Sequence, residues 1–468
     1  MNARWMLAAA LCGGAVFAQD TRVPTAAPVP AAQPPFEGWS QMWKDPEFQK
    51  QFLGSYAYAA EIEPRLSAVE KQQLEKIIPL LGNDPAAAKA ELAKIARPDS
   101  SALLDFTLGN LELQEGSLDI ALDHYRTAVA KFPSFRRAWK NMALIQVQQA
   151  NFDNAIRSFS RVLELGGTDG LTWGLLGYAY AGSGNQVSAE SAYRSAALLQ
   201  PDSLDWKLGL IQSVLRQQKY AEAAALTEEL ISKNPDRADF WLIQAAAYIG
   251  MGQPMRAAED YEVAVRLGAA TIPVWQTLGD IYANEHLLDL AARSYREALL
   301  LDASQPLQKP IRNVEVLVQR GALDQASGLI EAIQQSASER EGGIEPADRR
   351  TLLKLEARLA VARGQGGDAA KALQEVVALD PLDGEALLLL GQYFQKENDP
   401  VQAIAYYERA ESLEAFEADA KVRHAQVLVA QSRYGEAVPL LKRAQEIRPR
   451  DEVARFLEQV ERVARSRG

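Results

Sequence analysis

After residue 66 the apolar residues of this 468-residue chain return to the same register every 34 positions. Trp139, Trp173, Trp241 and Trp275 stand 34 or 68 apart, and where the series skips a member, at Lys207, Trp206 is the adjacent residue. Small residues keep the same register: Gly109, Ala143, Gly177, Ala245 and Gly279 in one half of each unit, and Ala121, Ala155, Ala189, Ala223, Ala257 and Ala291 in the other. Two helices approach closely only where side chains shrink to glycine or alanine, so these positions predict the contact line of an antiparallel helix pair. Tyr180, Tyr248 and Tyr282, with Tyr125, Phe159, Tyr193, Tyr261 and Tyr295, supply bulk between turns. Pro133, Pro201 and Pro235 stop the second helix of their units, because proline has no amide hydrogen to continue the ladder.

One unit carries Trp173, Leu176, Gly177, Tyr180, Ala189, Tyr193, Ala196 and Pro201 in order. This resembles the tetratricopeptide repeat, whose pattern W-x2-L-G-x2-Y, A-x3-F-x2-A, P it matches at every position once Tyr stands for Phe. Units fall at about 102–135, 136–169, 170–203, 204–237, 238–271 and 272–305. A degenerate unit at 67–100, with an alanine-rich second helix from Ala86 to Ala96, extends the array over 67–305, about seven units. The register then breaks. Ala326 arrives one residue late and Gly342-Gly343-Ile344-Glu345-Pro346 reads as a loop, so 306–349 is a degenerate unit or a joint. A second array of three units covers 350–451, marked by Ala357, Ala369 and Pro381, then Gly391, Ala403, Tyr407 and Ala410, then Ala425, Ala437, Ala444 and Pro449. A last helix over 452–468 carries Val453, Phe456, Leu457, Val460 and Val463 on one stripe, as a terminal cap requires. The resemblance implies an all-α fold, a right-handed superhelical solenoid of antiparallel helix pairs whose first helices line a concave groove.

The chain ahead of the repeats reads differently. Arg4, the short apolar run Trp5 to Val16 and the small-residue end Val16-Phe17-Ala18 form a signal peptide over 1–18, with cleavage after Ala18. Retention as an anchor stays open, although the run is shorter than the ~20 residues that span a bilayer. Leu11 directly before Cys12 argues against lipid attachment. Cleavage would remove Cys12, the one cysteine, and with it disulfides, thiolate metal sites and cysteine nucleophiles. Residues 19–37 hold Pro24, Pro28, Pro30, Pro34 and Pro35 and read as an extended linker. Over 38–66, Asp45-Pro46-Glu47 starts a helix on which Phe48, Phe52 and Tyr56 form a stripe. That block is either a cap over the first repeat or, through Trp39, Trp43, Tyr56 and Tyr58, a set of partner anchors.

Composition agrees with helices: the chain has 77 alanines, with 48% hydrophobic and 24% charged residues. A net charge of -11 excludes a general nucleic-acid binder. Catalytic chemistry is not found in the pattern. His124, His286 and His424 sit in three different repeats, and no cluster has metal-ligand spacing. Nucleophile-elbow and P-loop motifs are absent. Gly364-Gln365-Gly366-Gly367-Asp368-Ala369 fits a relaxed dinucleotide fingerprint, but it follows a helix where that motif needs a strand. The expectation is no enzyme, no cofactor and no metal.

Recognition remains. The resemblance implies that first-helix positions 2, 5, 6, 9, 12 and 13 face the groove, which makes Phe106, Asn110, Arg137, Lys140, Asn141, Tyr178, Gln212, Arg216 and Asp280 the candidate partner-binding residues. Some family members clamp a peptide's terminal carboxylate there; Asn110 and Asn141 match that clamp, whereas Phe106, Leu171 and Leu175 replace its cations. Arg136, Arg137 and Lys140, with Lys131 nearby, form a basic spot on an acidic chain, either a solvated face or a seat for an acidic peptide. The expected function is a non-catalytic scaffold of the bacterial envelope, periplasmic or secreted, that binds extended or helical segments of other proteins. The arrangement is similar to repeat proteins accompanying TonB/ExbB/ExbD systems, outer-membrane assembly or polysaccharide-export complexes. The alternative is a ligand-binding or enzyme-regulating subunit with a small-molecule or glycan site at 306–349.

Overall fold

In a computed structural model of the chain, residues 63–302, 304–338 and 343–467 are described. The expected signal peptide, linker and aromatic block up to residue 62 lie outside the described residues. Among the described residues there are 23 α-helices and no strand, in two compact units that meet in sequence at Gly268 and Ala269. The first unit holds α1 (Ala68–Asn83), α2 (Pro85–Ile95), α3 (Ala102–Gln114), α4 (Leu118–Lys131), α5 (Arg136–Gln148), α6 (Phe152–Glu164), α7 (Gly170–Gly182), α8 (Gln186–Leu199), α9 (Leu204–Arg216), α10 (Tyr220–Lys233), α11 (Ala238–Gly250) and α12 (Pro254–Arg266). The second holds α13 (Ile272–Asn284), α14 (Leu288–Leu300), α15 (Gln308–Gln319), α16 (Leu323–Ser338), α17 (Pro346–Ala362), α18 (Gly366–Leu379), α19 (Gly384–Lys396), α20 (Pro400–Glu411), α21 (Glu417–Ala430), α22 (Tyr434–Ile447) and α23 (Asp451–Arg467). Each unit is a stack of helix pairs, an odd-numbered first helix folded back against the even-numbered second helix that follows it.

Local chemistry starts and stops these helices. Ser67 caps α1 in a reciprocal box, its Oγ accepting from the Glu70 amide at 3.2 Å while Glu70 Oε2 accepts from the Ser67 amide at 2.7 Å. Asp84, Asp169, Asp383 and Asp399 cap α2, α7, α19 and α20 through their carboxylates. Every first helix from α3 to α21 ends at one residue with φ between +54 and +86°. Gly116, Gly184, Gly252, Gly321 and Gly364 fill five of these positions, and Ala150, Gln218, His286, Asn398 and Ser432 the other five. The amide after that residue then donates back to the carbonyl five positions earlier, as Asn151 does to Gln146 at 2.7 Å and Arg433 to Leu428 at 2.8 Å. This closure satisfies orphan carbonyls at the helix end and turns the chain sharply enough for the second helix to pack on the first.

Packing within six of the pairs rests on an aromatic ring set against a small residue. Tyr125, Phe159, Tyr193, Tyr261, Tyr295 and Tyr407 on second helices are fully or almost fully buried. A Cβ at Gly109 would stand 2.7 Å from Tyr125 Cε1, and one at Gly177 2.9 Å from Tyr193 Cδ1. Gly279 and Gly391 meet Tyr295 and Tyr407 just as closely. Trp206 adds a contact of its own: its indole is buried, stacks on Tyr193 with ring centroids 6.5 Å apart, and lies where a Cβ on Gly174 would be. The in-register Trp139, Trp173, Trp241 and Trp275 are only half-buried. Trp139 and Trp241 donate through Nε1 to the carbonyls of Pro133 and Pro235 at 3.0 and 2.9 Å.

Residues 306–349 contain a full helix pair, α15 and α16. Its turn residue, Gly321, comes one position later than a strict 34-residue spacing from His286 would put it, and Ala326 is buried one position late to match. Pro346 belongs to a helix and not to the preceding loop: with its φ set by the ring it opens α17, whose 17 residues add a turn to the 13 of most first helices. At the far end, Val453 and Val460 of α23 are buried against Leu441 and its neighbours on α22.

One buried carboxyl opposes the packing. Asp260 on α12 is 6% exposed, and its Oδ2 accepts no hydrogen bond among the described residues. Burial pushes its pKa up from 3.8 to about 7, against the pull of Arg256 and with the help of Glu228 and Glu259. A folded pKa above the unfolded one means stability that is complete below about pH 4 and lost as pH rises through 7. Asp260→Asn should therefore raise the thermal midpoint at pH 8 and leave it unchanged at pH 4. A fall at pH 8 would mean that Arg256 stabilises the ionised form. Gly109→Ala should lower the unfolding free energy by about 1–3 kcal/mol, because a buried tyrosine ring cannot step aside. Gly328→Ala, on an open and exposed face of α16, should raise it by about 0.5–1 kcal/mol. Denaturant titration reads both, and shifts of the same sign would show that the ring contact does not limit helix approach.

Candidate functional site

Because second helices give their aromatic rings to the pair, first helices carry the variable polar positions. Successive first helices also touch, α5 with α7 and α7 with α9, so their outer positions share one face within the first unit. Three of the expected groove residues are turned into this packing. Asn110 on α3 and Asn141 on α5 are 7% and 5% exposed. Tyr125 Oη donates to Asn110 Oδ1 at 2.6 Å, and Asn141 Nδ2 reaches the same oxygen at 3.0 Å. The three side chains bond one another through Tyr125 Oη, Asn110 Oδ1 and Asn141 Nδ2 and pin α3, α4 and α5 together. Phe106, 5% exposed, packs on Phe135 with ring centroids 4.8 Å apart.

The basic spot expected at Arg136, Arg137, Lys140 and Lys131 is largely occupied by the chain itself. Lys131 Nζ lies 2.6 Å from Asp105 Oδ2, with both side chains mostly buried. Arg136 donates to the carbonyl of Leu165 at 3.4 Å. Arg137 pairs with Glu63 at 2.6 Å, and its guanidinium carbon lies 5.2 and 5.9 Å from the ring centres of Phe106 and Phe135. Lys140 sits 3.1 Å from Asp169, whose side chain is 47% exposed. Burial pushes the Asp169 carboxyl up, yet Lys140 and hydrogen bonds from Thr172 outweigh it and hold the pKa below the usual range. Half-exposed pairs of this kind contribute only about 0–1 kcal/mol, so Lys140 can exchange partners.

Tyr178 on α7 is half-buried and meets Phe152 edge-on, with centroids 5.9 Å apart. Gln212 on α9 is half-buried and Arg216 in its last turn is exposed. Asp280 belongs to the second unit, where its Oδ1 accepts from Tyr295 Oη at 2.8 Å; burial raises its pKa. The groove candidates thus divide into a packed set, Phe106, Asn110, Asn141 and Asp280, a paired set, Arg137 and Lys140, and an open set, Tyr178, Gln212 and Arg216.

Two clefts were not foreseen. One of about 360 Å³ lies among α4, α5 and α6 and is lined by Arg126, Trp139, Gln146, Arg157, Ser158 and Arg161. Another of about 340 Å³ lies between α16 and α17, with Ser327, Glu331, Gln334, Glu356 and Arg363 on its walls. Neither shows in a periodicity argument, because each depends on the side chains of two or more helices meeting. Glu63 was equally hidden, being 74 residues from the arginine it pairs with.

The histidines have structural surroundings. His286 occupies a left-handed turn, His124 is half-buried on α4, and buried His424 places Nδ1 2.8 Å from Glu411 Oε1 beside Lys421. Among the described residues no group of three or more His, Cys, Asp or Glu side chains could hold a metal ion. At the fingerprint-like Gly364–Ala369, helix α17 runs into the turn at Gly364 and α18 opens at Gly366.

A family model described as tetratricopeptide repeat matches residues 106–170, 140–205, 175–238, 208–272, 354–420 and 393–452, and a second of the same description matches 272–305. Among curated relatives, BBSome complex member BBS4 of Bos taurus is 29% identical over 199 residues, 42% of this chain and 37% of that protein. DnaJ homolog subfamily C member 3 of Gallus gallus is 22% identical over 334 residues, 65% of each chain. The chain therefore spans less than two thirds of either relative. Among solved structures, YrrB, a TPR protein with an unusual peptide-binding site, aligns with a TM-score of 0.37 and 17% identity over 40% of this chain and 95% of its own. Naa15/Naa10 bound to HypK-THB aligns with a TM-score of 0.38 and 14% identity over 81% of this chain and 63% of its own.

Proposed function

The chain belongs to the tetratricopeptide repeat family, and from that premise we propose that it is a non-catalytic scaffold that binds segments of other proteins along the first-helix face of its first unit. The observation that carries this reading is the division of labour within each pair. Within the first unit Tyr125, Phe159, Tyr193 and Tyr261 of second helices are buried in the pair contact, while Lys140, Tyr178, Gln212 and Arg216 on successive first helices keep side chains that are exposed, half-buried or held only by a weak surface pair. A mixed apolar and polar strip of that kind fits an extended or helical peptide. It lacks the walled pocket with convergent acid and base groups that catalysis requires.

The signal-like residues 1–18 support a periplasmic or secreted setting, and a proline-rich spacer followed by a long repeat array supports a place beside an envelope complex of the TonB/ExbB/ExbD, outer-membrane assembly or polysaccharide-export type. Among the described residues no helix is long and apolar enough to cross a membrane. A second reading, a small-molecule or glycan site at 306–349, draws support from the cleft of about 340 Å³ beside α16.

Since Arg137 is already held by Glu63, the discriminating variant replaces Lys140, Tyr178, Gln212 and Arg216 together with alanine. In-cell cross-linking should capture protein partners from the periplasmic fraction with the native chain, which should begin at Gln19, and lose them with the variant while helical circular dichroism is unchanged. Capture that survives these four substitutions would place recognition elsewhere on the molecule.

A further inference from the structure

Glu63 stands outside any helix, four residues ahead of the Ser67 cap, and reaches the first-helix face of α5. Arg137 Nη2 donates to Glu63 Oε2 at 2.6 Å, and Nε stands in ion-pair contact 2.6 Å from Oε1. The pair is mostly withdrawn from water, with side-chain exposures of 12% for Glu63 and 25% for Arg137. Buried Phe106 and Phe135 lie under the guanidinium, and Pro64, the next residue, is itself buried. Glu63 lies at a bend ahead of α1, and Pro64 biases the Glu63 backbone away from the helical region towards extended angles.

This contact joins no two helices of a pair, because Glu63 lies outside any helix. Tyr125, Asn110 and Asn141 already fix α3, α4 and α5 to one another. Burial pushes the Glu63 carboxyl up more strongly than Arg137 and Arg136 pull it down, so holding a carboxylate there carries a desolvation cost that the ion pair only partly offsets. Arg137 is also a groove position of the proposed peptide-binding face.

We propose that Arg137 with Phe106 and Phe135 forms a subsite for a glutamate side chain carried on an extended segment of a partner protein, and that Glu63 fills it in cis, so that the chain caps one end of its own groove. The proposal rests on the groove reading above and names the chemistry of the partner: an acidic residue in extended backbone, recognised by a cation held over two rings. An internal ligand on a short tether acts at an effective concentration of about millimolar. A trans segment with no other contacts therefore loses to Glu63, and a partner displaces it only by also engaging neighbours such as Lys140 and Tyr178.

The test uses the full chain and a labelled peptide with the sequence of residues 59–66, followed by fluorescence anisotropy. Glu63→Gln removes the competing carboxylate from the subsite and should bind the peptide at least about tenfold more tightly than the native chain. Glu63→Gln combined with Arg137→Gln should return binding to the native level or below. Glu63→Ser serves in place of Glu63→Gln if circular dichroism shows that variant unfolded. Equal affinities for the native and Glu63→Gln chains, or binding indifferent to Arg137, would overturn the proposal and leave the ion pair as a simple tether. If that happens while the four-alanine variant still loses its partners, only the self-capping subsite falls; if partner capture is also unaffected, the groove reading falls with it.

Discussion

In six helix pairs the closest contact is an aromatic ring pressed on a glycine or alanine, and this is the constraint on which most of the stack depends. Gly109 under Tyr125 and Gly177 under Tyr193 leave no space for a Cβ, and Gly391 under Tyr407 shows the same contact in the second unit. The second helix must present its ring at one register to make the contact. The left-handed turn residue that ends each first helix sets that register, because an added or lost residue there would rotate the ring off its seat. The α15–α16 pair has no aromatic ring and packs instead through Leu329, Ile330 and Ile333, yet its turn residue Gly321 and buried Ala326 still shift together by one position.

Much of this was legible along the chain because it repeats. A period of 34 residues, small residues in two registers and rings in a third describe the pair without any knowledge of its surroundings. The groove was legible only as a set of positions. Asn110 and Asn141 occupy groove registers, yet Tyr125 and each other satisfy them, and no local pattern distinguishes an asparagine awaiting a ligand from one already bonded. Arg137 and Glu63 form their pair across 74 residues, from a stretch without repeats. Asp260 takes a second-helix register held by Ser158 and Ser294 in other units, and its raised pKa comes from burial and from neighbouring acids, which the period cannot report. Pro346 read as a loop residue because proline breaks helices, although it also starts them.

The electrostatics of the first unit follow from the same arrangement. Three cations at or beside the first-helix face are engaged: Lys131, at the end of the second helix α4, by Asp105, Arg137 by Glu63 and Lys140 by Asp169. They differ in how firmly they are held. Lys131 and Arg137 sit in mostly buried pairs, where removing one partner leaves an uncompensated charge. Lys140 faces a half-exposed carboxylate and is cheap to release. A partner meeting this face on a chain of net charge -11 would therefore engage Lys140, Tyr178 and Arg216 before it could contend for Arg137.

The central claim is that recognition belongs to the face formed by the outer positions of successive first helices. A photo-reactive amino acid placed at Gln212, on α9, and separately at Leu198, which is 82% exposed on the second helix α8, measures this directly in cells. The account predicts covalent partner adducts from position 212 and none from position 198; adducts from 198 alone, or equally from both, would contradict it.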